Sequence, residues 1–209
     1  MNQQFLTELK AVTAENRIFT DEPMKKHTTF RVGGPADILV QPKGTELAAV
    51  IRLCRKYDVP YQVIGNGSNL LVGDRGIRGL VIEMLSKEDE ICVEDDCITV
   101  GAGMLLSKTA NRAAEHGLTG MEFAAGIPGS IGGAVVMNAG AYGGEMKDIL
   151  TAVTVLDQEG NEKILSAEEL ELGYRTSCIL KKGYIVTGAK IKLKHGEAVS
   201  YTHLRAHET

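Results

Sequence analysis

The pattern of apolar residues in the first part of the chain predicts helices and strands in turn. Side chains repeated every three or four positions predict amphipathic helices over residues 3–16 and 45–57, the second with Thr45 as its N-cap. The apolar runs at 38–40 and 61–64 end close to proline or glycine, as buried strands do. Strand, helix and strand in this order predict one βαβ-like unit.

Short β-prone segments make up much of the remaining sequence. Helical spacing returns over 104–115, a helix that Gly117 should end, and over 167–171. Small residues and glycine fill 121–144, which we expect to be irregular for most of its length. Mixed strands and helices without an internal repeat predict an α+β protein. The β-prone segments are residues 28–32, 70–72, 80–82, 91–93, 98–100, 152–156 and 185–193.

Composition and charge narrow the possible functions. The 209 residues include 23 Lys and Arg against 27 Asp and Glu, and a net charge of −4 disfavours a nucleic-acid-binding surface. No apolar run approaches the roughly 20 residues of a transmembrane helix. Residues 1–10 lack the pattern of a secretory signal, so we expect a cytoplasmic protein without a membrane partner. Four cysteines without a Cys-x-x-Cys pair predict reduced thiols and no metal site.

Glycine is the residue type that points to chemistry. The chain has 24 glycines, about 11% against a usual value of about 7%. The cluster at 65–69, Gly-Asn-Gly-Ser-Asn, follows a predicted strand, and its backbone amides suit an anion-binding nest, but taken alone the pattern is more typical of a simple turn. Gly101-Ala102-Gly103 begins like a dinucleotide-binding fingerprint, but Leu106 occupies the place of the third glycine, so we reject that interpretation.

The third glycine cluster is the most specific. Seven glycines fall within the nineteen residues 126–144. Such a loop would lose much conformational entropy on folding unless something orders it, and a cofactor lying along its backbone would do so. The alternative is a flexible linker, but linkers are polar, whereas Ile127, Ile131, Val135 and Met137 are apolar. The pattern therefore favours a cofactor cradle.

Five motifs follow one another in the order and spacing of a known enzyme family. They are Thr-Thr-Phe-Arg-Val-Gly-Gly-Pro-Ala-Asp at 28–37, Gly-Asn-Gly-Ser-Asn-Leu-Leu at 65–71, Gly-Met-Glu-Phe-Ala-Ala-Gly-Ile-Pro-Gly-Ser-Ile-Gly-Gly at 120–133, Asn-Ala-Gly-Ala-Tyr-Gly at 138–143 and Tyr-Arg-Thr-Ser at 174–177. On these motifs the chain, from residue 28 to about 194, resembles the UDP-N-acetylenolpyruvoylglucosamine reductases. These flavoproteins complete UDP-N-acetylmuramate for bacterial cell-wall synthesis.

The resemblance implies a FAD-binding fold of the vanillyl-alcohol-oxidase (PCMH) type. In that fold, two subdomains of mixed sheets and helices clasp FAD, here without a covalent bond. We expect an N-terminal helical segment at 1–22, a first FAD-binding subdomain at 23–84 and a second at 85–198, near whose end the substrate-binding region starts. The tail, 199–209, departs from the family and from both periodicities.

The resemblance also implies which residues form the site. The loops at 65–70 and 126–133 would hold FAD through backbone amides, and residues 138–142 would line its isoalloxazine and substrate side. Arg175 matches the family's catalytic arginine, whose planar guanidinium can grip a carboxylate and stabilise charge that develops beside it. The predicted cofactor-binding residues are Gly65, Asn66, Gly67, Ser68, Asn69, Leu70, Gly126, Ile127, Pro128, Gly129, Ser130, Ile131, Gly132, Gly133, Asn138, Gly140, Ala141 and Tyr142.

The reaction implied by the family needs more residues than this chain supplies. NADPH would reduce FAD and leave. The enolpyruvyl ether of a UDP-sugar would then bind where NADPH was bound, and the reduced flavin would reduce it. The family takes a proton from a Ser or Cys in a Gly-Ser-x-Phe-type motif and orients the centre with a Glu near the C-terminus. Neither context occurs here. We therefore expect the FAD-binding part of a longer reductase, with Arg175 present and two of three catalytic side chains missing.

Two other functions stay open. A flavin oxidase on the same fold would often tether its flavin through His or Cys, but neither His27 nor Cys54 lies in a context that we recognise as a tether. A fragment that holds FAD without turnover is the second. In the tail, His203 and His207 stand four apart like zinc ligands on a helix, but an unstructured or foreign terminus is the interpretation we prefer.

Overall fold

The computed structural model of the chain describes residues 3–84 and 91–196. The tail histidines His203 and His207, considered above as zinc ligands and not preferred in that role, lie outside them. The chain divides into two compact units, which we describe separately. Unit 1 consists of Met1–Ser86 and Leu156–Glu162, and unit 2 consists of Lys87–Val155 and Lys163–Thr209.

Unit 1 is built on a four-stranded sheet. Its elements are α1 (Gln3–Val12), β1 (Ile18–Pro23), β2 (Pro35–Val40), α2 (Glu46–Lys56), β3 (Tyr61–Ile64) and β4 (Ile77–Glu83). The strand order is β1-β2-β4-β3, with β1 antiparallel to β2 and the other three strands parallel. The βαβ unit predicted from the sequence is therefore confirmed as β2-α2-β3, and β4 lies between its two strands.

Buried apolar side chains explain the elements of unit 1. Ile38, Leu39 and Val40 are fully buried, as expected of a strand inside a parallel sheet. The helices predicted at 3–16 and 45–57 are present, although α1 ends at Val12. The Thr45 side chain does not cap α2 as predicted. Instead, the Glu46 carboxylate accepts a hydrogen bond of 2.9 Å from the Lys43 amide.

Two segments predicted as strands in unit 1 are loops. In the 28–32 segment, Thr28 Oγ1 donates to the Val32 carbonyl at 3.1 Å, and Arg31 has a φ of +54°. This local bond competes with a strand ladder, which is why the β-prone composition misleads here. The 70–72 segment is also outside the sheets, and its Val72 joins the core cluster that contains Met24.

Unit 2 is built on a five-stranded sheet with short helices and ribbons around it. Its elements are β5 (Ile91–Glu94), β6 (Cys97–Gly101), α3 (Leu106–Glu115), β7 (Leu118–Thr119), α4 (Ile131–Val136), β8 (Gly140–Ala141), β9 (Gly144–Glu145), β10 (Leu150–Leu156), β11 (Glu162–Ser166), α5 (Cys178–Lys182), β12 (Ile185–Lys192) and β13 (Lys194–His195). The strand order is β11-β10-β12-β6-β5, while β7 pairs with β13 and β8 pairs with β9.

The prediction for unit 2 is confirmed for its longer elements and wrong for some short ones. The strands predicted at 91–93, 98–100, 152–156 and 185–193 are present, as is the helix that Gly117 ends. The 167–171 segment is a turn, and neither β11 nor α5 was predicted.

The glycine-rich segment 121–144 is more regular than expected, because it contains α4 and the β8–β9 hairpin. Two glycines give α4 poor intrinsic helix propensity. Its buried Ile131 and Val135 instead stabilise it through tertiary packing.

None of the helices in the described parts of the chain is both long and apolar enough to cross a membrane. Within the same residues, no group of three or more His, Cys, Asp or Glu side chains could hold a metal ion.

Candidate functional site

The 65–69 loop follows β3 and rests directly on the turn at 27–29. Gly67 has a φ of +60°, and a Cβ atom at this position would lie 1.9 Å from the His27 carbonyl oxygen. The Thr29 amide donates to the Gly67 carbonyl at 3.3 Å. Only glycine allows this approach, so the fold itself requires Gly67.

The same loop offers three consecutive hydrogen-bond donors. The backbone N–H groups of Gly67, Ser68 and Asn69 donate to no acceptor among residues 3–84 and 91–196. Gly67 is buried and Ser68 half-buried, and amides in such positions normally find a partner in the protein, in water or in a ligand, whereas Asn69 is exposed. Adjacent amides at a turn with positive φ form a concavity suited to anions. The loop therefore has the chemistry of an anion site, and its cofactor role stays a prediction. Among the other predicted residues of this loop, Asn66 takes part in other interactions. Gly65 and Leu70, at the two ends of the loop, are half-buried.

A charged cluster that the sequence did not reveal lies beneath this loop. His27 is held between two carboxylates, with Nδ1 3.0 Å from Glu83 Oε1 and Nε2 3.1 Å from Glu22 Oε1. Gln41 Nε2 donates to the second Glu83 oxygen at 2.6 Å. The hydrogen bond with Glu83 raises the pKa of His27 above its usual value, although burial opposes the shift.

In unit 2, the 126–133 segment uses much of its backbone internally. The amides of Ile127, Gly129, Ile131 and Gly132 donate to the carbonyls of Ala124, Ile127, Met104 and Ala102, at 2.8 to 3.2 Å. Pro128 has no N–H group. These four amides therefore have acceptors within the protein, and the cofactor role of the segment stays a prediction. Gly126 is exposed and Ser130 is buried.

The two adjacent glycines of α4 face different surroundings. A Cβ atom on Gly132 would lie 3.0 Å from that of Ala102, so this glycine serves close packing. On Gly133 it would meet only Ser130 Oγ, at 3.6 Å, and the residue is exposed. Ser130 caps the helix by accepting from the Gly133 amide. A ligand role for Gly133 stays a prediction and would have to use this open face.

Asn138 uses its side chain to join three neighbouring segments. It is 3% exposed, with a φ of +43°. Its Nδ2 donates to Glu145 Oε2 at 2.6 Å and to the Gly173 carbonyl at 3.1 Å. Its Oδ1 accepts from the Lys147 amide at 2.9 Å. Both side-chain N–H bonds are thus in use, so Asn138 acts as a clasp between these segments, and its place beside the flavin stays a prediction.

The predicted residues Gly140, Ala141 and Tyr142 lie on the β8–β9 hairpin. Tyr142 and Gly143 form its two-residue tip with φ values of +51° and +84°, the signs of a type I′ turn. Tyr142 is 71% exposed. A large residue with positive φ carries backbone strain, and such strain concentrates at functional sites.

Arg175 occupies the tip of another tight turn in unit 2. Gly173 and Thr176 exchange backbone hydrogen bonds of 3.1 and 3.3 Å, with Tyr174 and Arg175 between them. Arg175 is exposed at a φ of +53°, and its guanidinium forms no ion pair within the described ranges. The carbon Cζ lies 5.9 Å from the centre of the Tyr174 ring.

The Arg175 turn is anchored on both sides. Asn138 Nδ2 binds the Gly173 carbonyl on one side. On the other, the fully buried Ser177 donates from Oγ to the Val136 carbonyl at 2.8 Å. The protein therefore presents an uncommitted guanidinium on a fixed turn, which suits bidentate binding of a carboxylate. The motif placed Ser177 near the site, but no pattern in the sequence indicated its anchoring role.

The two residues considered as covalent tethers are unsuited to that role. Cys54 is 1% exposed, and burial raises the pKa of its thiol to about 12. A thiol that stays protonated at neutral pH is a poor nucleophile. His27 has both ring nitrogens engaged by carboxylates. The geometry thus favours a flavin held without a covalent bond.

Comparison with known proteins supports the resemblance found in the motifs. UDP-N-acetylenolpyruvoylglucosamine reductase of Agathobacter rectalis is 50% identical over 205 residues, covering 92% of this chain and 65% of the relative. The crystal structure of the UDP-N-acetylenolpyruvylglucosamine reductase from Thermus caldophilus matches with a TM-score of 0.74 and 40% identity, over 88% of this chain and 65% of that one. The chain thus spans just under two thirds of these relatives.

More distant structures share the fold alone. p-Cresol methylhydroxylase matches with a TM-score of 0.68 at 15% identity, over 94% of this chain and 44% of that one. This likeness confirms the predicted α+β fold of the PCMH type. The model of the FAD binding domain family matches residues 36–166, more than half of the sequence. The chain therefore belongs to the FAD-binding domain family, as its glycine loops and ordered motifs led us to expect.

Proposed function

We propose that this chain is the flavin-binding part of a UDP-N-acetylenolpyruvoylglucosamine reductase. Such an enzyme would use NADPH to reduce the enolpyruvyl group of a UDP-sugar, in the cytoplasm, during peptidoglycan synthesis. The 50% identity to a reductase of that name supports the proposal. The structural observation that carries it is the uncommitted Arg175 guanidinium on its anchored turn.

The residues present fit FAD. Its diphosphate is a doubly charged anion, and the 65–69 loop offers three adjacent amide donors without a protein acceptor in the described residues. Glycine at position 67 lets the backbone approach the turn below it and keeps a side chain out of the way. When bound, FAD supplies the hydride chemistry, which no amino-acid side chain provides.

The chain's own residues would bind, orient and stabilise charge. We assign the amides of Gly67, Ser68 and Asn69 to phosphate oxygens. Arg175 would bind the substrate carboxylate through its planar fork and lower the energy of the negative charge that builds up beside it. Asn138 would keep the Arg175 turn in place through the Gly173 carbonyl. The protonation step is assigned to no residue of this chain.

A second candidate function is FAD binding without turnover. It is supported by the 65–69 loop, whose amides suit an anionic cofactor whether or not a reaction follows. It differs from the first in activity, and the two predict the same flavin site. The oxidase alternative is disfavoured because Cys54 is buried and His27 is paired.

Two measurements separate these functions. Calorimetric titration with FAD should show binding. The holoprotein should absorb light at about 450 nm, as bound oxidised flavin does. Anaerobic stopped-flow mixing then follows flavin reduction by NADPH and reoxidation by enolpyruvyl-UDP-GlcNAc. Reoxidation by that substrate in an enzyme of the relatives' full length supports the reductase. Reoxidation by oxygen alone would reject it, and folded protein that ignores FAD would reject both candidates.

A further inference from the structure

The cluster beneath the 65–69 loop has no role in the function proposed above. It joins His27 to Glu83 and Glu22 at 3.0 and 3.1 Å, with Glu83 only 5% exposed. Glu22 precedes His27 by 5 positions and Glu83 follows it by 56, and the fold brings the two carboxylates together at the ends of β1 and β4. A buried charged cluster is costly unless its members satisfy one another.

The geometry of this cluster requires a proton. Ionised carboxylates only accept hydrogen bonds, and a neutral imidazole donates from one nitrogen only. With carboxylate oxygens facing both ring nitrogens, both contacts are favourable when the ring is an imidazolium. A neutral ring would leave one nitrogen lone pair directed at a carboxylate.

The backbone of His27 transmits this arrangement to the loop. Its carbonyl oxygen occupies the space that a side chain at position 67 would need, and the Thr29 amide binds the Gly67 carbonyl. A displacement of His27 therefore displaces the loop whose amides at 67–69 lack protein acceptors. Because the His27 backbone and the 65–69 loop are closely packed, a shift of one is transmitted to the other.

We propose that His27 is a positioning residue for the 65–69 loop, and that its imidazolium, bridging Glu22 and Glu83, keeps the loop amides ready for an anionic diphosphate. The inference rests on the proposed flavin site. The other groups that face the cluster are Gln41, which donates to Glu83, and Lys26, which pairs with Glu22 at 3.0 Å.

The direction of the pH effect follows from the charges. The pKa of His27 is raised, chiefly by its hydrogen bond with Glu83, so the ring keeps its charge to a higher pH than a free imidazole and loses it as the pH rises through that raised value. Burial opposes ionisation of Glu22, but its bonds with His27 and Lys26 outweigh burial and lower its pKa. At alkaline pH, two carboxylates then lie beneath a loop meant for an anion, so FAD affinity should fall.

The test measures the dissociation constant of FAD by fluorescence quenching from about pH 6 to about pH 9, across the range where histidines titrate. The native chain should lose roughly fivefold to 100-fold in affinity across this range, a usual size for coupling between sites. His27→Gln should bind weakly at every pH with a flat profile. His116→Gln, which removes an exposed histidine of unit 2, should keep the native profile.

A second variant, Glu83→Gln, tests the inference even if His27→Gln does not fold. Glu83→Gln removes one of the two carboxylates that favour the imidazolium, so it should shift the midpoint of the affinity profile to lower pH. Circular dichroism checks that each variant is folded. A native profile in folded His27→Gln, or an unmoved midpoint in Glu83→Gln, would overturn the inference and leave the flavin site intact. A folded native chain that binds no FAD at any pH would overturn the flavin site and the inference together.

Discussion

Asn138 donates a hydrogen bond of 3.1 Å from its side chain to the main-chain carbonyl of Gly173, the residue where the Arg175 turn begins. The two residues are 35 positions apart. Arg175 has positive φ, a conformation that costs about 1 to 2 kcal/mol for a residue with a Cβ atom. Such a turn keeps its shape only when its surroundings hold it. The buried Asn138 is thus the link between the 138–143 motif and the arginine.

Replacing Asn138 should destabilise unit 2. Asn138→Ala would leave the Glu145 carboxylate, the Gly173 carbonyl and the Lys147 amide without their partner. A hydrogen bond contributes about 0.5 to 1.5 kcal/mol net, so the loss of all three should lower the free energy of unfolding by about 2 to 4 kcal/mol. Urea denaturation followed by circular dichroism measures this loss.

Two further variants make the Asn138 prediction specific. Asn138→Asp would place a carboxylate 2.6 Å from that of Glu145, so it should be the more destabilised at neutral pH and recover partly in acid. Asn111→Ala, at an exposed position of α3, should leave the unfolding midpoint nearly unchanged. Equal stability of Asn138→Ala and the native chain would show that the clasp contributes nothing.

Arg175→Lys should impair substrate reduction while sparing flavin reduction, in an enzyme of the relatives' full length. Arginine and lysine both carry a positive charge, and a positive φ is equally unfavourable for both. The substitution therefore tests the planar guanidinium alone. A lost electrostatic contact of this kind costs on the order of 10² to 10³ in turnover. Anaerobic stopped-flow absorbance resolves the two half-reactions.

The control for Arg175 is Arg112→Lys, because Arg112 lies on the surface of α3 in an ion pair with Glu115. That variant should reduce flavin and substrate at native rates. If Arg175→Lys also turned over at the native rate, the arginine would not be the group that stabilises charge in the reaction.

Gly67→Ala should be far more damaging than Gly44→Ala, although both glycines have positive φ. At position 44 a Cβ atom meets nothing within 4 Å, so alanine there costs only the backbone term of about 1 to 2 kcal/mol. At position 67 the same atom would lie 1.9 Å from the His27 carbonyl oxygen, which adds an overpacking cost of about 1 to 3 kcal/mol or more. Unfolding midpoints of the two variants give the comparison, and equal midpoints would contradict it.

The cysteines should differ sharply in reactivity. Cys92 is exposed, whereas burial holds the pKa of the Cys54 thiol at about 12. At about pH 8, a disulfide reagent should therefore modify Cys92 rapidly and Cys54 only after denaturation, because the thiolate is the reactive form. Mass spectrometry of tryptic peptides locates the label. Cys92→Ser should remove the fast phase, and rapid labelling of Cys54 in folded protein would contradict its burial.

Apolar periodicity predicted the βαβ unit correctly, and the ordered motifs predicted the family. The spacing of Leu47, Val50, Ile51 and Cys54 is enough to predict α2, because a helix buries one face at a period that a sequence shows directly. The strands on either side follow in the same way, and with them the βαβ unit. The five motifs indicated the FAD-binding family because each is a local string of residues, read without knowledge of the fold.

Tertiary structure decided what local patterns cannot express. The two glycines of α4 argue against a helix, yet buried Ile131 and Val135 hold one there. The glycines of the 126–133 segment predicted amide donors for a ligand, but the fold pairs two amides of this segment with the carbonyls of Ala102 and Met104. Hydrogen-bond satisfaction depends on what lies opposite in space, and no window of sequence contains that information.

The charged cluster shows the same limit most clearly. His27, Glu22 and Glu83 carry no shared motif, and Glu83 ends a strand 56 positions after His27. The sequence alone determined that these side chains can ionise and that β4 is a buried strand. Only the pairing of β4 with its neighbours brought Glu83 within 3.0 Å of the imidazole, because electrostatic coupling falls with distance in space and is indifferent to distance along the chain.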